Sequence, residues 1–315
     1  MPLAVLHSES EWAAQFGRPA RPAVVTVGNF DGVHLGHQRI LRRVHELAQQ
    51  TGRLSAVLTF YPHPSRVLRP SEAPALLMTL EQRLATIETI GIDAALVLRF
   101  EAGLANVTAE DFVQRFLVDT IAVQAVLIGG NFRFGHRQKG DIKLLAGLGA
   151  RWGFEVEIVP PVIADGIVVS STAIRNAVRE GRVDEARRLL GRPYTLEGEI
   201  RTGTGQGRRL VVPTLNLATD QEALPKTGVY ATEAVVQRKT YRAATNVGVR
   251  PTFDGTRVTI ESHLFDFSED LTTGKMEVRF WARLRDEQKF SGPDALRRQV
   301  LKDIEAAKEY FAIPQ

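Results

Sequence analysis

The feature that most constrains the fold is a change of texture near residue 190. From residue 22 onward, short apolar runs alternate with stretches of helical periodicity. The runs are Ala23 to Val27, Ser55 to Phe60, Ala94 to Leu98, Ala125 to Gly129 and Phe154 to Val159. After the first of them, Ile40, Leu41, Val44, Leu47 and Ala48 recur at helical spacing until Gly52 ends the series. Thr79 and Gln82 have the spacing of a capping box, and Gly91 stops that helix. Thr108 opens another helix through Phe112 and Phe116, and Leu144 to Trp152 is helical. Ser170 to Arg188 is helical in two pieces, broken at Gly181. Such alternation builds a parallel sheet covered on both faces, and these sheets bind ligands at the carboxyl ends of their strands.

Beyond residue 194 the strands crowd together. Thr195 to Ile200, Gly228 to Ala231, Tyr241 to Val247, Val258 to Leu264 and Met276 to Leu284 are short strand-like runs separated by turn residues. That pattern predicts an antiparallel sheet or barrel. Pro293 opens a closing helix whose stripe is Leu296, Val300, Ile304, Ala307 and Phe311. Gly191-Arg192-Pro193 is the expected join, which divides the 315 residues into domains 1–190 and 191–315.

Composition removes several classes. With Cys 0 there is no disulfide, thiolate metal site or cysteine nucleophile. The net charge of +4 is dispersed, with no block of about five or more like charges. It suits weak attraction to phosphates rather than a nucleic-acid partner. No apolar run reaches the roughly 18 residues of a membrane helix. Met1 to Trp12 carries His7, Glu9 and Glu11 and lacks the basic start and apolar middle of a signal peptide. The expectation is a cytoplasmic protein with no membrane and no nucleic-acid partner, its oligomeric state open.

The first chemical string is Gly28-Asn29-Phe30-Asp31-Gly32-Val33-His34-Leu35-Gly36-His37. It lies where the first long strand ends and a helix begins, and free backbone N–H groups make that junction an anion site. His34 and His37 can both face one ligand at the helix start and stabilise charge on a transferring phosphoryl group. A zinc pair or two ordinary surface histidines would fit the H-x-x-H spacing alone; zinc needs further ligands, and no Cys supplies them.

The string resembles the HxGH motif of nucleotidyltransferases, in the form used by bifunctional riboflavin kinase/FAD synthetases. Three segments extend the resemblance: Phe60-Tyr61-Pro62-His63-Pro64, Ile128-Gly129-Gly130-Asn131-Phe132-Arg133-Phe134-Gly135, and Ser170-Ser171-Thr172-Ala173-Ile174-Arg175. Singly, each reads as a proline-fixed loop, core phenylalanines or a helix cap. In this order they imply an α/β Rossmann-like adenylyltransferase domain. The resemblance implies that His34, His37, Ser171, Thr172 and Arg175 handle ATP phosphates. Gly28, Phe30 and Asp31 then belong to the nucleotide-binding string, and Phe60, His63 and Asn131 lie near nucleotide or flavin. Arg175 also suits a phosphate as a planar fork one turn into a helix.

The second string is Gly203-Thr204-Gly205-Gln206-Gly207-Arg208-Arg209, then Pro213-Thr214-Leu215-Asn216. The glycine-rich turn is neither a P-loop nor G-x-G-x-x-G, yet its N–H groups beside Arg208 can cradle phosphate. Alone it reads as a hairpin tip. Thr214 and Asn216 alternate onto one face of an extended chain, and their oxygens suit Mg²⁺. This segment resembles the PTAN motif of riboflavin kinases, and Glu261 is similar in place to that family's general base. On spacing alone Glu261 is a surface carboxylate on a strand. Arg250, within Asn246 to Phe253, and Arg285 with Phe290 complete the match, the last two implying a flap over nucleotide and flavin. The implied C-terminal fold is an antiparallel β-barrel kinase domain with a terminal helix.

The resemblance therefore implies phosphorylation of riboflavin to FMN with ATP and Mg²⁺. It also implies adenylylation of FMN to FAD with release of pyrophosphate. Gly130 stands where an acid is common, Gln138 where Arg is common, and Thr272-Thr273 where a Tyr is usual. Val211-Val212 replaces Gly-Phe, and Leu215 replaces a small Ala. The bulk of Leu215 is expected to press on Thr214 and Asn216. This motivates the alternative of an FMN adenylyltransferase with an impaired kinase domain. Two other readings are an HxGH transferase for another substrate, opposed by the flavin-type C-terminal half, and a nucleic-acid-binding barrel. With aromatic residues at 7% and dispersed cations, the barrel lacks the stacking platforms of the latter.

Overall fold

The structure is a computed structural model describing residues 2–17, 20–201, 212–252, 255–269 and 271–313, with backbone alone at 250–252 and 255–257. It forms two compact units, Met1–Ser170 and Ser171–Gln315.

The first unit is a six-stranded parallel sheet. Its strands are β1 (Ala4–Leu6), β2 (Ala23–Val27), β3 (Leu54–Tyr61), β4 (Ala94–Arg99), β5 (Val123–Gly129) and β6 (Glu155–Val159), in the spatial order β1-β4-β3-β2-β5-β6. The helices are α1 (Glu9–Phe16), α2 (Leu35–Thr51), α3 (Pro64–Leu68), α4 (Leu80–Thr89), α5 (Ala102–Ala105), α6 (Ala109–Phe112) and α7 (Ile142–Trp152). Successive strand residues face opposite sides, and two cores follow. Ala23, Val25 and Val27 join Trp12, Phe112 and Leu148 on one face; Val24 joins Leu41, Val44 and Ile87 on the other. A hairpin of β7 (Ile163–Ala164) and β8 (Ile167–Val168) closes the unit.

Both faces are thus covered, as the alternation predicts. The capping box on α4 forms in both directions: Thr79 accepts from the Gln82 N–H at 3.2 Å, and Gln82 accepts from the Thr79 N–H at 2.9 Å. Sequence periodicity misses β1 and α1, because a three-residue strand has too few residues to show a period. Trp12, fully buried, is what anchors α1 to the sheet.

The second unit opens with α8 (Ser171–Arg179) and α9 (Val183–Leu190), separated at Gly181, whose φ of +79° ends the first of them. A closed antiparallel barrel follows: β9 (Tyr194–Arg201), β10 (Leu215–Ala218), β11 (Gly228–Val236), β12 (Lys239–Thr252), β13 (Gly255–Leu264) and β14 (Lys275–Arg285). The order around it is β10-β13-β12-β11-β14-β9. Leu196, Tyr230, Val247, Ile260, Val278 and Phe280 are buried as alternation demands. The last helix, α10 (Pro293–Ala312), lays Ile304, Ala307 and Phe311 against Ala231, Ala244 and Phe265. Helices α8 and α9 belong to this unit: the Lys226 N–H donates to the Val178 carbonyl, and Arg187 stacks 5.0 Å from the Trp281 ring.

Candidate active sites

In the first unit the string after β2 makes a compressed turn. Phe30 (φ +52°), Gly32 (φ +85°) and Val33 (φ +37°) are all left-handed. For Phe and Val this costs on the order of 1–3 kcal/mol each. Burial of both side chains in the core beside Leu41 and Val44 offsets it. Asp31 is buried and accepts the backbone N–H groups of Leu77 (3.0 Å) and Met78 (3.3 Å), tying the turn to the loop before α4. Arg83 of α4 donates to the Asn29 carbonyl. Burial lowers the Arg83 pKa from its ordinary value, while the charge of Asp31 opposes the shift.

This clamp sets the histidines. His34 is the N-cap of α2, and its Nδ1 accepts from the His37 N–H at 3.3 Å. Its Nδ1 is therefore unprotonated. A Cβ on Gly36 would lie 3.1 Å from the His34 ring, so glycine leaves room for the cap. The two imidazoles stack at 3.6 Å and 16°, and Phe30 meets His37 edge-on at 5.2 Å. Burial, then the neighbouring His34 and then Arg83, holds the His37 pKa well below the usual imidazole value. His37 is thus neutral, and its Nδ1 has no hydrogen-bond partner among the described residues. An arriving anion would offset all three effects and draw a proton onto the ring. Beside Leu35, a cleft of about 560 Å³ runs between Arg39, Arg42, Arg43 and Glu46 of α2 and Glu157, Val159, Pro160 and Val162, with Arg43 paired to Glu157 at 2.8 Å.

The other sequence-derived residues of this half fall as follows. Asn131 is exposed after β5; a Cβ on Gly129 would lie 3.6 Å from its Oδ1 and 3.9 Å from Ile40 of α2. The Phe60 ring packs on Phe100 and Phe112. His63 caps α3, its Nδ1 accepting from the Ser65 N–H at 3.2 Å. Ser171, Thr172 and Arg175 lie in the first turns of α8, in the second unit.

In the second unit, pairing register assembles the site. Asn216 of β10 lies directly across from Glu261 of β13, and Glu261 directly across from Asn246 of β12. Directly opposed residues share a face. Amide, carboxylate and amide therefore form one row across three strands. Thr214 stands just before β10 and is half-buried. Gly203, Gly205, Gly207 and Arg208 lie outside the described residues. Arg250 is placed by its backbone in β12, opposite Arg257.

Residues 18–173 match the FAD synthetase family and residues 190–311 the riboflavin kinase family. A bifunctional riboflavin kinase/FMN adenylyltransferase of Pseudomonas fluorescens is 40% identical over 293 residues, covering 93% of this chain and 94% of that protein. The chain belongs to the bifunctional riboflavin kinase/FMN adenylyltransferase family. The Escherichia coli K12 member is 33% identical, covering 94% of this chain and 95% of that one. A solved structure described as a macrolide-efflux protein from Streptococcus pneumoniae has a TM-score of 0.87 at 30% identity, covering 98% of this chain and 99% of that one. Among the described residues no helix is long and apolar enough to cross a membrane.

Within this family framework, the replacements in the kinase half have plain locations. Leu215 is buried, as is Leu217, and pairs with the buried Ser262. It therefore points away from the face that carries Asn216 and Glu261. Val212 packs with the α10 core. The expected pressure of Leu215 on its neighbours does not arise, because strand alternation sends its bulk into the barrel. The motive for an impaired kinase goes with it.

Arg285 is held rather than free. It makes a two-pronged ion pair with Asp303 of α10 (2.7 and 2.6 Å), donates to the Asp286 carbonyl at 2.8 Å and lies 5.9 Å from the Phe290 ring. Asp303 and Arg83 escape sequence reasoning, and Asn246, within a matched segment, gives no sign there of its place opposite Glu261. Only Asp303 leaves a trace, as an acid beside the apolar stripe of the last helix.

Proposed function

We propose that the chain makes FAD from riboflavin in two ATP-dependent steps, one per active site. The observation supporting this is one chain holding both a stacked imidazole pair at a strand–helix junction and an amide–carboxylate row on a barrel. In the kinase step, Glu261 takes the proton of the riboflavin 5′-hydroxyl as the hydroxyl oxygen attacks the γ-phosphorus of ATP, the bond from that phosphorus to the bridging oxygen breaks and ADP leaves. Thr214 and Asn216 offer oxygens of the kind Mg²⁺ accepts, and the ion would neutralise phosphate charge there. The family resemblance assigns phosphate binding to Gly203, Gly205, Gly207 and Arg208, substrate binding to Arg250, and a flap over nucleotide and flavin to Arg285 with Phe290.

In the transferase step, an FMN phosphate oxygen attacks the α-phosphorus of ATP and pyrophosphate leaves. No side-chain nucleophile is needed; His34 and His37 stabilise the charge that builds on the phosphoryl oxygens. The family resemblance assigns Ser171, Thr172 and Arg175 to ATP phosphates, and Gly28, Phe30, Asp31, Phe60, His63 and Asn131 to the surroundings of nucleotide and flavin. We assign the steps to functional domains 1–190 and 191–315, working in the cytoplasm.

The test is a timed incubation of the purified protein with riboflavin, ATP and Mg²⁺, with flavins separated by chromatography, and a parallel tube starting from FMN. FMN followed by FAD is expected. FAD in the FMN tube alone would remove the kinase assignment, and no product in either would overturn the reading.

A further inference from the structure

We propose that His263 is a positioning residue that holds the Pro213–Asn216 arm of the kinase site against β13. Its Nδ1 lies 2.9 Å from the Pro213 carbonyl oxygen. A carbonyl only accepts, so Nδ1 carries the proton and donates. The bond falls where the ladder cannot help. The β10–β13 pairing starts at Leu215 opposite Ser262, and Pro213 has no N–H to extend it.

Continuing the same register sets Thr214 opposite His263, just as Asn216 is set opposite Glu261. Alternation then places all four on one face. The imidazole spans the first two residues of the arm that the ladder leaves unpaired. It is braced in turn: its ring lies 5.8 Å from that of Phe265, which is buried against α10, and Val212 packs in the same cluster. The bond therefore links the arm's entry to the α10 core and keeps Thr214 aligned with Asn216 and Glu261.

This inference rests on the kinase reading of Thr214, Asn216 and Glu261. The variants His263→Ala, His263→Asn and His263→Gln in the full chain test it. Asn carries its nitrogen on Cγ, in the place of Nδ1, whereas Gln carries it one atom further out. Two readouts are used: amide hydrogen exchange of residues 214–217 without ligand, and kinase kcat and KM for MgATP. His263→Ala is expected to speed that exchange and to lower kcat/KM about tenfold, mainly through KM, the scale of one lost hydrogen bond. His263→Asn should restore most of both, and His263→Gln neither. FAD formation from FMN reports the integrity of the rest of the chain. Equal behaviour of Asn and Gln, or unchanged exchange in His263→Ala, would overturn the proposal. Asn216→Ala separates the two levels. If it spares the kinase, the reading of the arm fails. If it abolishes the kinase while His263→Ala changes nothing, the positioning role alone fails.

Discussion

The two sites are built by opposite means. The junction after β2 packs its chemistry into consecutive residues, 28–37, and holds them with backbone strain and buried side chains. The barrel site draws on Asn216, Asn246 and Glu261 from three strands, and only pairing register makes them neighbours. A local site tolerates little change within its string, because Phe30, Val33, Gly36 and His34 each set the position of the next. A register-built site depends instead on whatever keeps the strands from slipping. In the barrel a buried hydroxyl row does this: Thr232 meets Thr245 at 2.6 Å, and Thr245 meets Ser262 at 2.8 Å. These lie on the inner face of the strands that carry Asn246 and Glu261 outside.

The largest expected effects separate the two regions. His37→Ala should lower FAD formation from FMN by about a hundredfold or more, the scale of a lost transition-state donor. It should leave FMN formation from riboflavin intact. Glu261→Gln should do the reverse, by about a hundredfold or more, as for a lost general base. Single-step assays started from riboflavin and from FMN measure both. Loss of both activities in either variant would break the picture of two separable sites.

A smaller effect tests the orientation of Leu215. Because its side chain is buried within the barrel, Leu215→Ala should cost about 3 kcal/mol of barrel stability through lost burial and the cavity left behind. It should not raise kinase turnover. Thermal unfolding and a riboflavin kinase assay on one preparation decide the matter. A faster kinase of unchanged stability would mean that the leucine presses on Thr214 and Asn216 after all.

The same contrast explains what the sequence could show. The junction was legible because its glycines, histidines and helix start are adjacent, and the strands β2 to β5 were legible because each is a largely buried apolar run. The clamp around it was not. Arg83 sits in the capping-box helix α4 at a position that looks solvent-facing, yet it is buried against the Asn29 carbonyl. In the barrel, Glu261 read as a surface carboxylate on spacing alone, because nothing within β13 names its partners. Asn216 and Asn246 are far from it in the chain, and register is a property of the closed barrel. Arg285 shows the same limit: its flap position could be inferred from the string around it, but its anchor, Asp303, lies on a helix 18 residues later.

The smallest effect is a pH dependence confined to the local site. Burial, His34 and Arg83 together hold the folded His37 pKa well below its ordinary value. In the unfolded chain the same imidazole titrates near 6.5. As pH falls through that value the unfolded chain takes up a proton that folded His37 refuses, so unfolding becomes more favourable. This contribution is absent above the unfolded pKa and grows until pH reaches the depressed folded value. His37→Gln removes the titrating group while keeping a polar side chain. Lowering pH from 7.5 to 5.5 should therefore reduce the midpoint of thermal unfolding more in the parent protein than in His37→Gln, every other histidine being common to both. Equal reductions would show that His37 is protonated as readily in the folded junction as in the open chain. The neutral, anion-awaiting imidazole that distinguishes the junction from the barrel would then be lost.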